Sequence, residues 1–246
     1  MLTSAEGTVV VLIVVSYFLW GQHILAAARR ISLPRVARLR RHAYYGTVVL
    51  QWVMVGLVAL VEGERGDTAR RLGLGVPNWL AFWICTVGAC VAIVLLLRWR
   101  QRVLKRPASN ESIRALTERP GAGRLLPQSR TEHAAFLIMG LSSAFTEELL
   151  FRGYFLAVFT LWMPLWTSAV AATGLFALGH LYQKVGGALQ AAVLGAVFCA
   201  FYLLTASLII PVVLHALVNW HQASAVKGAL DSKQGHAGAA TGSGGS

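Results

Sequence analysis

The chain alternates between long apolar runs and short, strongly basic stretches. Residues 8–28, 44–61 and 79–97 contain no Asp, Glu, Lys or Arg, and residues 133–159 are apolar apart from Glu147, Glu148 and Arg152. An uncharged run over 153–183 overlaps the end of that fourth segment, and residues 185–226 are again uncharged. An α-helix needs about 20 apolar residues to cross a hydrocarbon layer of ~30 Å, and it satisfies its backbone polar groups within the segment. The first four runs therefore predict one span each. The fifth must lie within 153–183, after an interfacial turn marked by Trp162, Pro164 and Trp166. The run over 185–226 is too long for one crossing and suits two, with a turn near 205–211. The pattern predicts an all-α, polytopic transmembrane helix bundle of about seven spans.

Composition and charge sharpen this picture. Of 246 residues, 56% are apolar and only 13% charged, against ~45–50% apolar in ordinary globular proteins. Disorder and a water-soluble enzyme are excluded on that ground. A net charge of +12 would suit nucleic acid if the basic residues shared one solvated face, but they sit in blocks between spans, so no nucleic acid is expected. The lipid bilayer is the expected partner of these blocks. Arg29, Arg30, Arg35, Arg38, Arg40 and Arg41 follow the first span, and nine basic residues lie between Arg98 and Arg130. Basic loops stay cytoplasmic, which puts the N-terminus outside and the C-terminus in the cytoplasm. Ala26-Ala27-Ala28 resembles a signal-peptide cleavage site, yet Met1 to Gly7 holds no basic residue, so a retained span is expected. These features describe a multi-pass integral protein of the inner or plasma membrane.

Three parts follow: N-terminal spans with basic connectors over 1–131, a membrane core over 132–226, and a Gly/Ala/Ser-rich flexible tail over 227–246. The connector 98–130 is interrupted by Pro107, Asn110, Pro120 and Gly121 and reads as a broken amphipathic segment at the interface. Cys85, Cys90 and Cys199 all fall inside apolar runs, which predicts buried, inert thiols rather than a disulfide framework.

The candidate chemistry lies in polar groups that a membrane span should not contain. A charged group at mid-membrane costs at least about 2.5–3.5 kcal/mol, so such groups pair, face the interior and mark function. Glu148 and Arg152 are i,i+4 and share a helix face, whereas Glu147 is turned about 100° away and addresses another helix. His180 follows 173–179, a stretch holding the small residues Thr173, Gly174, Ala177 and Gly179, and His215 and Asn219 are i,i+4 on one face. A Glu helix, a His helix and a His/Asn helix converging on one polar cavity would suit peptide hydrolysis. Glu147 with His180 would hold and deprotonate a water. His215 and the Asn219 amide would donate to the developing oxyanion, and Glu148 with Arg152 would fix the catalytic helix. Two imidazoles and a carboxylate also suit a catalytic zinc site, although no His-Glu-x-x-His sequence occurs; spacing does not choose between the two. His23 and His221 read as packing or interfacial residues.

These sites together resemble the CPBP family of intramembrane endopeptidases, which includes the type II CAAX prenyl proteases, bacteriocin-processing proteins and abortive-infection proteins. The family pattern, Glu-Glu-x-x-x-Arg, then Phe-x-x-x-His, then His-x-x-x-Asn or Asp, is matched in order by Glu147, Glu148 and Arg152, by Phe176 and His180, and by His215 and Asn219. The resemblance covers roughly 132–226. It implies an intramembrane peptidase with Glu147 as water activator beside His180, His215 and Asn219 as oxyanion donors, and a peptide or lipidated-protein substrate in the membrane. It assigns no obligatory cofactor, with Zn²⁺ as the alternative in a family widely labelled metalloprotease. Two other classes fit the same polar residues: a catalytically silent scaffold or immunity factor, and a proton-coupled transporter.

Overall fold

The computed structural model describes residues 4–30, 33–63, 67–104 and 122–242. Among them the chain is helical, with no strand. Helix α1 (Ser4–Arg30) is followed by α2 (Leu33–Glu62), a single turn α3 (Thr68–Arg71) and α4 (Trp79–Leu104). Then come α5 (Arg130–Phe159), α6 (Leu165–Gly179), α7 (Lys184–Thr205) and α8 (Ile209–Gly242). Five helices among the described residues are long and apolar enough to cross a membrane, and two shorter apolar segments, Trp79–Leu95 and Leu165–Gly179, accompany them. The seven correspond one for one to the spans read from the runs. The protein is a multi-pass integral membrane protein.

Helix α5 is the hub. Half of its apolar window is buried, against 22% for the other four long spans, because it packs along both α2 and α8. Helices α6 and α7 pair beside it, and α4 rests on α7 and α8 with Trp79, Trp83, Ile84 and Val87 facing outward. Within α5, residues Leu149–Phe155 form a π-helical stretch in which every side chain is buried. Such widened turns often mark functional sites.

Each end of the bundle is tied by polar groups. At the basic end Arg40 pairs with Glu132 at 2.9 Å, Tyr44 donates to the Leu125 carbonyl, and Arg124 donates to the Ala28 carbonyl at 3.3 Å. At the opposite end Arg71 pairs with Glu62 at 3.0 Å, and the Leu208 N–H donates to the Gly73 carbonyl at 2.8 Å. Gly73 has φ +71°, and a Cβ there would lie 2.5 Å from Tyr202, so both the backbone conformation and the close approach require glycine. The predicted turn between the last two spans is present: Ala206 is left-handed (φ 50°) and its N–H caps α7 on the Tyr202 carbonyl.

Four expectations need correction or restriction. Helix α2 starts at Leu33, well before its apolar run, and carries Arg35, Arg38, Arg40 and Arg41; hydropathy marks only the apolar part of a helix on which Arg35, Arg38 and Arg41 are exposed and Arg40 is buried against Glu132. Where composition predicted a flexible tail, α8 continues to Gly242. A helix nucleated by its packed half propagates without a second nucleation cost. Cys90 is exposed and Cys85 half-buried, because α4 is peripheral; only Cys199 is buried. Most of the basic connector, residues 105–121, lies outside the described residues.

Candidate active site

Four of the sequence-predicted residues, Glu147, His180, His215 and Asn219, line one cavity of about 150 Å³. They arrive from three helices. Glu147 comes from the last α-helical turn of α5, His180 caps the C-terminus of α6, and His215 and Asn219 lie one turn apart on α8. Helix α6 has 15 residues, about 22 Å at 1.5 Å per residue. That is shorter than a ~30 Å hydrocarbon layer, so its C-terminal end and the 3₁₀ segment Leu181–Gln183 that follows lie beside the cavity. Irregular backbone at membrane depth is tolerated where it lines such a polar space. Tyr182, Gln183, Gln190 and Gln222 supply further polar lining.

The two adjacent glutamates meet different partners, and Glu148 pairs with Arg152 as the i,i+4 spacing predicted. Glu148 is fully buried and does not line the cavity; its Oε1 accepts from Arg152 Nη1 at 2.9 Å and from His215 Nδ1 at 2.8 Å. Arg152 also lies behind the cavity. It donates through Nη2 to the Gly195 carbonyl at 3.0 Å and stands over the Phe176 ring at 4.5 Å. A Cβ on Gly195 would lie 2.9 Å from that guanidinium, so the close approach of α7 depends on glycine. The ion pair thus joins α5 to α7, and Glu148 reaches α8 through His215. Glu148 Oε2 is buried with no hydrogen-bond partner.

Glu147 faces the other way. Its Oε1 accepts from Tyr17 of α1 and, at 3.0 Å, from Gln51 of α2, while its Oε2 lies 3.8 Å from His215 Nε2. Ser143 Oγ donates to Gln51 Oε1 at 3.0 Å, which orients the amide. His215 therefore bridges the two carboxylates, its Nδ1–H on Glu148 and its Nε2 toward Glu147. Its ring stacks on Phe198 at 5.3 Å and meets Phe176 edge-on at 6.0 Å. His180 Nδ1 is 2.8 Å from the Phe176 carbonyl, its own i−4 neighbour. A carbonyl only accepts, so Nδ1 carries the proton and Nε2 presents a lone pair. Asn219 Nδ2 donates to the Gly140 carbonyl at 2.8 Å, and Gly140 lets the Asn219 Cβ come close to α5. Phe176 touches Arg152, His180 and His215 together, a packing role its motif position did not reveal.

Sequence reasoning missed Tyr17, Gln51 and Ser143. Gln51 carried a usable signal, since an amide in an otherwise apolar span needs a partner. Tyr17 and Ser143 carried none, because a membrane tyrosine or serine satisfies itself locally or at an interface in many ways. The expected pairing of Glu147 with His180 takes the form of shared cavity lining rather than a direct contact among the described bonds.

The donor set does not suit the zinc alternative. No three His, Cys, Asp or Glu groups among the described residues are placed to hold a metal ion. Glu148 Oε1 and His215 Nδ1 are taken up with each other, and Glu147 Oε1 is occupied by Tyr17 and Gln51. No step below runs through a metal.

Comparison with known proteins gives one family match. The family model described as Type II CAAX prenyl endopeptidase Rce1-like matches residues 129–221, which run from the cap of α5 to just beyond Asn219 on α8. No curated protein and no solved structure matches the chain. The matched family is a protease family embedded in the bilayer, and residues 129–221 of this chain are similar to it, as a type II CAAX prenyl endopeptidase Rce1-like segment.

Proposed function

We propose that this protein is an intramembrane endopeptidase in which Glu147 activates water and His215 with Asn219 stabilises the oxyanion. The observation that carries the reading is the meeting of Glu147, His180, His215 and Asn219 on one small cavity inside an apolar bundle. Peptide hydrolysis needs a base, an oxyanion site and a proton for the leaving amine. Glu147 Oε2 and His180 Nε2 are the acceptors free to hold a water. Glu147 takes a proton as the water oxygen bonds to the scissile carbonyl carbon. His215, in its imidazolium form, donates Nε2–H to the oxyanion while Nδ1–H remains on Glu148, and the second Asn219 amide hydrogen supports it. The C–N bond then breaks and Glu147 returns its proton to the amine. Glu148 and Arg152 touch no reacting atom in this scheme and fix His215 and the α5–α7 contact.

Chain direction gives the site its side. With the basic connectors in the cytoplasm, the α6–α7 turn that carries Tyr182 and Gln183 faces the cytoplasm, and the N-terminus faces outside. The substrate is then a polypeptide segment, lipidated or otherwise membrane-bound, presented from that side.

The decisive experiment compares membrane proteomes of cells carrying wild-type protein or Glu147→Ala at equal abundance. Peptides cut at a defined bond in the first and intact in the second support the reading. The same cut termini in both would remove Glu147 from the chemistry.

A further inference from the structure

We infer that Tyr17 and Gln51, on helices outside the matched segment 129–221, are positioning residues that aim the Glu147 carboxylate. The inference rests on the hydrolytic role proposed for Glu147. A glutamate has three side-chain torsions and, in an open cavity, several rotamers of similar energy. Here both donors converge on the same oxygen. Tyr17 Oη and Gln51 Nε2 each donate to Glu147 Oε1. That leaves Oε2 turned toward His215 Nε2 and the cavity.

Each donor is itself held. Gln51 is 1% exposed and its Oε1 accepts from Ser143 Oγ at 3.0 Å, so its amide cannot flip without losing that bond. The Tyr17 ring lies edge-on to Phe151 at 5.9 Å and against Gly179, where a Cβ would come within 2.7 Å of it. The residue before His180 is thus small because the tyrosine that orients Glu147 passes there. Neither donor lines the cavity, so both act through Glu147. In this arrangement the N-terminal spans complete the site: α1 and α2 each contribute one hydrogen bond to a carboxylate carried by α5.

The test uses the full chain in detergent or lipid, with Tyr17→Phe, Gln51→Met and the double variant. Trp52→Phe is the control: it removes a 2.9 Å bond between α2 and α5, from Trp52 to Ser142, without touching Glu147. Two readouts are combined. The first is the infrared carboxylate band of Glu147, assigned as the band lost in Glu147→Gln. It should shift in Tyr17→Phe and Gln51→Met and stay in place in Trp52→Phe. The second is cleavage of a peptide spanning the bond found in the proteome comparison. Each single variant is expected to lower kcat roughly tenfold, the loss of one charge-assisted hydrogen bond, with KM unchanged and thermal unfolding close to that of Trp52→Phe. An unshifted Glu147 band in the double variant overturns the inference whatever the activity. A shifted band with unchanged kcat also overturns it, because aiming would then be irrelevant to the rate. Cleavage that survives Glu147→Gln defeats the hydrolytic reading instead, a result separable from the infrared one.

Discussion

Replacing Arg152 by Met tests the buried charges behind the cavity most directly. The guanidinium is 2% exposed and its partner Glu148 is fully buried. Removing it leaves a carboxylate with only the His215 Nδ1–H as donor. Breaking a buried pair by deleting one partner costs about 3–5 kcal/mol, because the other charge stays behind uncompensated. Loss of the bond to the Gly195 carbonyl adds about 1 kcal/mol. Met restores much of the lost volume against Phe176 and Phe198, so a cavity contributes little. A destabilisation of about 5 kcal/mol is expected from these two terms, measured by SDS-driven unfolding in mixed micelles followed by tryptophan fluorescence. Adding Glu148→Gln should restore part of it, since a neutral amide no longer needs the cation and still accepts from His215. A double-mutant cycle should return a coupling of roughly 3 kcal/mol between the two positions, at the upper end for contacting residues. An Arg152→Met protein within about 1 kcal/mol of wild type, or a double variant as unstable as the sum of the singles, would refute the buried-pair reasoning.

Three further outcomes are expected. Gly195→Ala places a methyl 2.9 Å from Arg152 Nη2 and 3.0 Å from Phe176, so it should destabilise by roughly 1–3 kcal/mol in thermal unfolding and slow cleavage as Phe176 moves against both histidines. Asn219→Ala should lower kcat about 10²-fold, as for loss of one oxyanion donor, while the freed Gly140 carbonyl costs about 1 kcal/mol of stability; an unchanged kcat would take Asn219 out of the oxyanion site. Dialysis against a non-denaturing chelator should leave cleavage intact, and metal analysis of active protein should find zinc far below one equivalent; activity restored only by added zinc would contradict the donor geometry.

Most of the architecture was legible in the chain itself. Runs without charge, flanked by arginine blocks, fix where helices cross a bilayer, because an apolar solvent permits almost no other local solution. The turn at Ala206, the pairing of Glu148 with Arg152 and the opposite aim of Glu147 also follow from local rules, since neighbours at i and i+4 meet on any helix. Helix ends were less legible. Exposed arginines and the Arg40–Glu132 pair let α2 begin early at Leu33, and cooperative propagation carried α8 through glycines to Gly242.

What only the tertiary structure decided is which faces turn inward and what waits there. Sequence named Glu147, His180, His215 and Asn219 separately, but one cavity requires α5, α6 and α8 to pack in a particular rotation, set by close approaches such as Gly195 to Arg152 and Gly140 to Asn219. The donors to Glu147, Tyr17 and Gln51, lie 130 and 96 residues away in the chain. No spacing rule links them. Their roles arise because a buried carboxylate must find hydrogen-bond donors, and only the packed bundle determines which side chains are within reach.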